Sequence, residues 1–341
     1  MGLQIGEIVP RQEIRLEDLS GKIIAVDAFN TLYQFLTTIR QPDGTPLMDR
    51  KGKITSHLSG LFYRTTNLMS KGLKLVFVFD GEAPELKHGT HEIREEAKRS
   101  AREKYESFRA SGEFEEAGKY AGRFVTLNEE MIDEAKRLLS ALGIPVVQAP
   151  GEGESQAAFM AKQGDVWASA SQDYDSLLFQ APRLIQNLTL ARKRKLASGA
   201  FVSIEPELIE LQKVLNNLQL NQDQLICLGI LIGTDYNPKG VKGIGPKTAL
   251  KIVRQFKQPL MIFSQVRKEY EYDFDWQDIF ELFKKPDVIS NYKIKFNPID
   301  KNELFKLLVK EHDFSEERIN STLEKLEKQK EEGRQKRLEN F

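Results

Sequence analysis

Asp27, Asp80, Glu152, Glu154, Asp173, Asp175 and Asp235 are seven carboxylates that stand where short apolar stretches of this chain end. Lys-Ile-Ile-Ala-Val leads into Asp27, Lys-Leu-Val-Phe-Val-Phe into Asp80, Val-Trp-Ala-Ser-Ala-Ser-Gln into Asp173, and Gly-Ile-Leu-Ile-Gly-Thr into Asp235. Four of the seven form pairs two residues apart, Glu152 with Glu154 and Asp173 with Asp175. In extended backbone both members of such a pair point to one side and offer a two-pronged oxygen site. Acids gathered in one place repel unless a cation holds them together. A set of oxygen donors suits a hard divalent ion of the magnesium type. Each acid also has an ordinary alternative. An Asp just past a strand serves as a turn residue or a helix N-cap, which fits Asp27 and Asp235. Glu152-Gly-Glu154 follows Ala-Pro-Gly and opens a helix, whose positive end favours carboxylates with no metal present.

The elements that must position these acids follow from hydrophobic pattern. The first three apolar runs read as buried strands of a parallel sheet, whose carboxyl ends share one edge where such folds bind ligands. Strands are expected near residues 23–27 and 75–79. Between them an amphipathic helix carries Leu58, Leu61, Phe62, Thr65, Leu68 and Met69 at helical spacing, completing a βαβ unit. From about residue 87 to 130 the chain is charge-rich and helix-favouring, the pattern of helices standing off the body. Ala135, Leu138, Leu139 and Leu142 mark a helix before the strand-like Ile144-Pro-Val-Val. Residues 184–204 alternate like a hairpin around Ser198-Gly199, the chain is helical from 206 onward, and the last twenty residues read as a polar, solvated tail. No internal repeat is visible.

A second signal lies between Asp235 and Gln258. This segment holds Lys239, Lys242, Lys247, Lys251, Arg254 and Lys257 and no acid. Within it, Gly240-Val-Lys-Gly243-Ile-Gly245-Pro246-Lys247 lets backbone N–H groups approach a phosphate at a helix start, and Pro246 suits the first helical turn. An ATP-binding P-loop needs Gly, Lys and then Ser or Thr in succession, and Pro246 interrupts that order. The preceding residues 221–233 also read as helix. A helix-turn-helix grip on a nucleic-acid backbone, without sequence readout, fits better, although a charge run is ordinarily a solvated face. A third cluster begins past Asp80. Lys87 and Arg94 are seven residues apart, two helical turns, and share a face. Beside a bed of acids they would neutralise a phosphate in a displacement transition state. Glu92, Glu95, Glu96 and Glu103 are interleaved with them and with Arg102, as on an ordinary surface helix.

Bulk properties bound the rest. The chain has 341 residues, enough for one large core or two ordinary ones, and one large domain with embellishments is the favoured reading. Lys plus Arg total 50 and Asp plus Glu total 50, so net charge names no partner. The single cysteine, Cys227, excludes an internal disulfide and points to a reducing compartment. His57, His88, His91 and His312 are too scattered in sequence for a zinc site, so the metal expected is Mg²⁺ or Mn²⁺. No apolar stretch approaches the ~18 residues that span a bilayer. The N-terminus lacks a secretory pattern, and Gly6 stands where a myristoylation signal wants Ser or Thr. A soluble intracellular protein is expected, with no membrane partner.

Taken jointly, several motifs resemble the flap endonucleases of the XPG-type structure-specific nuclease family, in archaeal form. They are Met1-Gly2-Leu3-Gln4, Ala25-Val26-Asp27-Ala28 with Tyr33, Phe79-Asp80-Gly81 followed by Pro84, Leu86 and Lys87, and Ala149-Pro150-Gly151-Glu152-Gly153-Glu154-Ser155-Gln156-Ala157. Ser171-Gln172-Asp173-Tyr174-Asp175-Ser176 and Gly233-Thr234-Asp235-Tyr236 through Gly243-Ile244-Gly245-Pro246-Lys247 complete the set. The resemblance covers most of the chain and rests on the order and joint occurrence of these fragments.

The fold it implies is α/β: a PIN-like nuclease core with a mostly parallel central sheet, a helical arch, and a helix-hairpin-helix-type DNA-binding element that can hold K⁺. One nuclease domain is implied over 1–333, with an N-terminal region to about 98, an arch over about 87–130, an internal nuclease region over about 118–260 and C-terminal helices over about 260–330. A tail over 334–341 follows. All seven carboxylates become ligands of two Mg²⁺ ions, which Mn²⁺ can replace. Asp27, Asp80, Glu152, Asp175, Lys87 and Arg94 form the catalytic set, with the two cations at the arch base on the scissile phosphate. Gly2, Tyr33, Arg40, Lys87, Arg94, Gly243, Gly245, Lys247 and Lys251 contact DNA, Tyr33 by stacking on a nucleotide beside the cut.

The implied activity is 5′ flap endonuclease with 5′–3′ exonuclease activity at single-strand/duplex junctions, in Okazaki-fragment processing and base excision repair. The enzyme would be monomeric and cytoplasmic, associated with the nucleoid in a prokaryote, or nuclear in a eukaryote. A sliding clamp (PCNA) is the implied protein partner through Gln335, Leu338 and Phe341. The final aromatic of that peptide is absent here, so weak or no clamp binding is expected. A non-catalytic junction-binding protein is the alternative from another class. Seven mutually repelling acids, costly without a counter-charge, argue against it.

Overall fold

The computed structural model describes residues 3–41, 44–82, 88–122, 124–189, 193–195 and 201–339, with the backbone alone over 88–94, 114–115, 193–195, 201–203, 330 and 332–339. The chain opens with β1 (Gln12–Glu13), β2 (Ile23–Asp27), α1 (Ala28–Thr38), α2 (Ser56–Ser70) and β3 (Lys74–Phe79). The long α3 (His88–Ala110), short α4 (Phe114–Ala121) and α5 (Glu129–Ala141) lead to β4 (Val146–Gln148), α6 (Gly153–Gln163), β5 (Ala168–Ala170), α7 (Asp175–Leu178) and β6 (Arg183–Gln186). Then come β7 (Lys193–Lys195), β8 (Phe201–Ser203), β9 (Glu207–Glu210), α8 (Leu211–Leu218), α9 (Gln222–Ile232) and α10 (Pro246–Gln255). The C-terminal part is helical: α11 (Pro259–Glu269), α12 (Trp276–Lys284), α13 (Lys301–Leu304) running into a π-helical stretch (Phe305–Glu311), and α14 (Glu316–Glu339).

Seven strands form one sheet in the order β1-β9-β6-β5-β2-β3-β4. β4, β3, β2, β5 and β6 pair in parallel, while β9 and β1 add antiparallel at one edge. The central strands are near-continuous apolar runs because both faces are covered. Ile24, Val26, Leu75, Phe77 and Phe79 face the layer of α1, α2 and α5, whereas Ala25, Val76 and Val78 face Ala157, Met160 and Ala161 of α6. From β2 the chain winds outward through β3 to β4, then returns to place β5 on the other flank of β2. The order therefore reverses between β2 and β5. Outside the carboxyl ends of those two strands lies the crevice in which open α/β sheets hold ligands.

α3 and α4 carry few core residues, as expected of helices standing off the body. They pack on each other through Phe108 stacked on Tyr120 (5.7 Å between centroids), and surface ion pairs such as Lys98–Glu95 and Arg102–Glu106 line α3.

Four expectations are corrected. The linker between β2 and β3 contains α1 as well as the expected helix, because Leu32, Phe35 and Leu36 bury a second apolar face. The hairpin is confined to β7 and β8, paired Lys193 with Ser203; residues 183–186 belong to the main sheet. Its tip, Ser198-Gly199, lies outside the described residues. Residues 207–210 form β9 rather than helix, since pairing with β6 satisfies their backbone. The expected tail is helical to Glu339 within α14, and Leu323 and Leu326 continue the buried stripe begun by Ile319, while residues 327–329 and Glu331 are exposed as expected.

The scattered histidines also meet in part. His312 sits between Asp49 (3.1 Å) and Glu134 (3.0 Å), and Glu134 reaches His57 at 3.3 Å, all four side chains being buried. Hydrogen bonding to Glu134, and then to Asp49, holds the His312 imidazole above its ordinary value. Burial opposes ionisation of Glu134, yet hydrogen bonds from His312 and His57 hold its carboxyl down to about 2. The chain of pairs staples the loop before α2 to α5 and to the C-terminal helices. Among the described residues, no helix is long and apolar enough to cross a membrane.

Candidate active site

Asp27 ends β2 and caps α1, its Oδ1 accepting the Asn30 N–H at 3.0 Å. The cap alternative is therefore real for one oxygen of this residue. The Asn30 side-chain amide reaches across the crevice and donates to Asp173 Oδ2 at 3.1 Å, tying the residues beyond β2 and β5 together. Asp80 follows β3, and its Oδ1 accepts the Gly153 N–H at 2.7 Å. A Cβ on Gly153 would stand 2.7 Å from that same oxygen and 3.0 Å from the Val78 carbonyl, so only glycine lets the start of α6 dock on the end of β3. Docking there delivers Glu152 and Glu154 to either side of it.

Glu152 occupies the N-cap position of α6 but does not cap it; Oε2 instead accepts a hydrogen bond from the Tyr236 hydroxyl. Glu154, one residue into the helix, accepts the Ser176 N–H at 2.9 Å and the Ser176 hydroxyl at 2.7 Å, joining α6 to α7. Burial, then the Asp175, Asp173 and Asp27 carboxylates, push the Glu154 carboxyl well above the usual range. That shift records four acids within electrostatic reach of one another. Asp175 opens α7 and is 5% exposed. Asp235 stands in the turn after α9, where burial and the nearby Glu152, Asp175 and Asp235 push the Tyr236 phenol upward, so it remains a donor. All seven sequence-derived carboxylates thus fall in one region at the carboxyl edge of the sheet.

One geometric expectation is corrected. Asp173-Tyr-Asp175 is not extended: Tyr174 is helical (φ −86°, ψ −3°), and the chain bends there into α7. The pair reaches Glu154 because of that bend and not through strand alternation. Among the described residues, no three acidic, histidine or cysteine side chains already converge on a single point as in a closed metal site. Asp27, Asp80, Glu152, Glu154 and Asp173 instead face a hydrogen-bond donor each. The donor set is nonetheless oxygen throughout, and burial together with the neighbouring Asp175, Asp173 and Asp27 disfavours a charged Glu154 carboxyl that a divalent cation would stabilise, so the residues fit Mg²⁺ or Mn²⁺.

The basic element is a helix-turn-helix as expected. α9 ends at Ile232, buried Val241 and Ile244 anchor the turn, and α10 begins with Pro246 in its first turn. Gly243 has φ +89°, a conformation that suits glycine, and Gly245 caps α10 with nothing within 4 Å of its Cβ position. Lys242, Lys247 and Lys251 are exposed around this open helix start. A helix precedes the turn, not a strand, which removes the P-loop alternative a second time.

Tyr33 is half-buried on α1, the helix that Asp27 caps. Arg40 donates to the carbonyls of Thr37 (3.0 Å), Gly44 (2.7 Å) and Leu36 (3.0 Å), a backbone-bracing role that sequence did not suggest, and burial lowers its pKa. Gly2, Lys87 and Phe341 lie outside the described residues. Arg94 falls within α3, and Gln335 and Leu338 within α14, by backbone alone. Asn30, Gly153, Ser176 and Tyr236 are site residues that the acid pattern missed, although all but Asn30 flank a named carboxylate in sequence.

Comparison with known proteins places this geometry. The XPG N-terminal domain model matches residues 3–101 and the XPG I-region model residues 143–235, and the seven carboxylates all fall within these two spans. The chain is 56% identical over 342 residues to flap endonuclease 1 of Pyrococcus furiosus, covering 100% of this chain and 99% of that protein. The chain belongs to the flap endonuclease 1 family. It is likewise 53% identical to flap endonuclease 1 of Hyperthermus butylicus, across 96% of this chain and 95% of the relative. The flap endonuclease fold is matched in solved form by flap endonuclease-1 from Methanococcus jannaschii, with a TM-score of 0.76, 45% identity, and coverage of 96% of this chain and 98% of that one. Residues 102–142, which hold the C-terminal part of α3 and all of α4 and α5, lie outside both family models.

Proposed function

We propose that the chain is a structure-specific 5′ flap endonuclease with 5′–3′ exonuclease activity, cutting DNA at single-strand/duplex junctions in lagging-strand processing and base excision repair. The observation that supports this reading is the placing of seven carboxylates along the carboxyl edge of the sheet, with Asp27, Asp173, Asp175 and Glu154 within electrostatic reach of one another, beside an acid-free basic turn. Asp27, Asp80, Glu152, Glu154, Asp173, Asp175 and Asp235 would hold two Mg²⁺ ions, or Mn²⁺ in their place. When bound, such ions lower the pKa of a water and stabilise the leaving 3′ oxygen of a phosphodiester.

The protein supplies orientation. Asn30 holds Asp173, Ser176 holds Glu154, and the Gly153 N–H holds Asp80. Lys87 and Arg94 neutralise the scissile phosphate. Tyr33 stacks on the adjoining base. Gly243, Gly245, Lys247 and Lys251 grip the duplex backbone, where K⁺ can join them, and Gly2 and Arg40 are further expected DNA contacts. The one cysteine, Cys227, is fully buried with its thiol pushed up by that burial, so it offers no nucleophile. Gln335, Leu338 and Phe341 are the contacts proposed for a sliding clamp (PCNA), and the enzyme works as a cytoplasmic, nucleoid-associated monomer.

Incubating 5′-flap DNA with the enzyme in Mg²⁺, Mn²⁺ or EDTA, each with and without ATP, tests the chemistry. Cleavage in either metal, abolished by EDTA and indifferent to ATP, is expected. Cleavage that persists in EDTA or requires ATP would refute it.

A further inference from the structure

We infer that Tyr236 is a positioning residue for Glu152, holding one oxygen of that carboxylate so that it faces the acid cluster instead of its own helix. The inference rests on the metal-dependent reading of the site. Glu152 sits at the N-cap of α6 with extended backbone (φ −77°, ψ 133°) and makes no side-chain cap. Left to itself, a carboxylate there is drawn to the open N–H groups and positive end of the helix. The Tyr236 hydroxyl competes for it and takes Oε2.

The donor is itself fixed. Tyr236 is 7% exposed, and its ring meets Phe283 of α12 edge-on at 5.4 Å, while Phe283 packs on Phe179 at 4.8 Å. Its backbone N–H donates to Thr234 Oγ1 at 3.2 Å. Asn237 Oδ1 accepts from the Thr234 hydroxyl at 2.8 Å, and the Asn237 amide donates to the Ile230 carbonyl at 2.7 Å. The turn after α9 is therefore a closed network that presents two groups to the site, the Asp235 carboxylate and the Tyr236 hydroxyl. The same turn continues into the basic element at Lys242 and α10. Tyr236 thereby joins the DNA-gripping element to α6 by one hydrogen bond.

Tyr236→Phe removes the hydroxyl and keeps the ring packing. Outer hydrogen bonds to metal ligands are typically worth 10–100-fold in metal affinity or activity. The variant should need roughly 10-fold more Mg²⁺ for half-maximal cleavage, recover most of its rate at saturating Mg²⁺, and bind junction DNA in EDTA as the wild type does. Calorimetric titration with Mn²⁺ alone, without DNA, should show a matching loss of affinity. In a Glu152→Ala background, which leaves the hydroxyl no acceptor on that side chain, the same substitution should cause no further loss of Mn²⁺ affinity, since its effect passes through that carboxylate. A wild type that needs Mg²⁺, beside a Tyr236→Phe variant with the same Mg²⁺ response and Mn²⁺ affinity, would overturn this inference alone; so would full additivity with Glu152→Ala in Mn²⁺ affinity. A wild type indifferent to divalent ions would overturn the reading of the site and this inference with it.

Discussion

Replacing Asp175 by alanine should abolish flap cleavage, by at least roughly 10²–10³-fold under single-turnover conditions, while leaving junction binding in EDTA intact. Asp175 opens α7 at 5% exposure and lies within electrostatic reach of Glu154 and Tyr236. It thus belongs to the acid cluster and not to the basic element of α10. The fold should survive, because the substitution removes one of several acids that repel one another. Single-turnover rates paired with a binding isotherm decide the matter. A variant that cuts at the wild-type rate would sink the assignment of the site. A wild type that binds without cutting would favour the non-catalytic junction binder.

Removing the charges of Lys247 and Lys251 together should weaken duplex binding and flatten its salt dependence. Each lysine that neutralises a phosphate contributes about 0.9 to the slope of log affinity against log salt on B-form DNA. The double Lys247→Ala/Lys251→Ala variant should therefore show a slope shallower by about 1.8 if both lysines make such a contact. Both side chains are exposed on the open first turns of α10, so their loss should not disturb the buried Ala249 and Val253 on its other face. Binding measured at several salt concentrations reads the slope directly. An unchanged slope would remove this turn from the phosphate grip.

The parts of this fold that were legible in sequence are those where burial leaves no choice. β2 and β3 are covered on both faces, so Ile23–Val26 and Leu75–Phe79 appear as unbroken apolar runs, and the acids at their ends announce the edge. The α9–α10 turn was legible because glycine, proline and lysine each have a local reason to be there. What escaped depended on long-range pairing. β9, Glu207-Leu-Ile-Glu210, fully buries only Ile209 and becomes a strand because β6 lies beside it.

The site shows the same division. Its seven acids were visible as a pattern, yet their geometry was not. Tyr174 turns the Asp173–Asp175 pair through a helical bend, and Glu152 forgoes its cap for a tyrosine 84 residues away. Arg40 braces three carbonyls around the end of α1, which no spacing rule signals. His57 and His312, far apart in sequence, meet only because α5 brings Glu134 between them.

The central claim is that the acid cluster and the basic turn together select and cut a 5′ flap at its junction. Matched labelled substrates carrying a 5′ flap, a 3′ flap or no flap, incubated with the enzyme in Mg²⁺ and resolved at nucleotide resolution, test it most directly. A cut at the junction of the 5′-flap substrate is expected, with the 3′ flap and the body of the plain duplex left intact. Equal cleavage of the 3′ flap, or of the duplex interior, would contradict it.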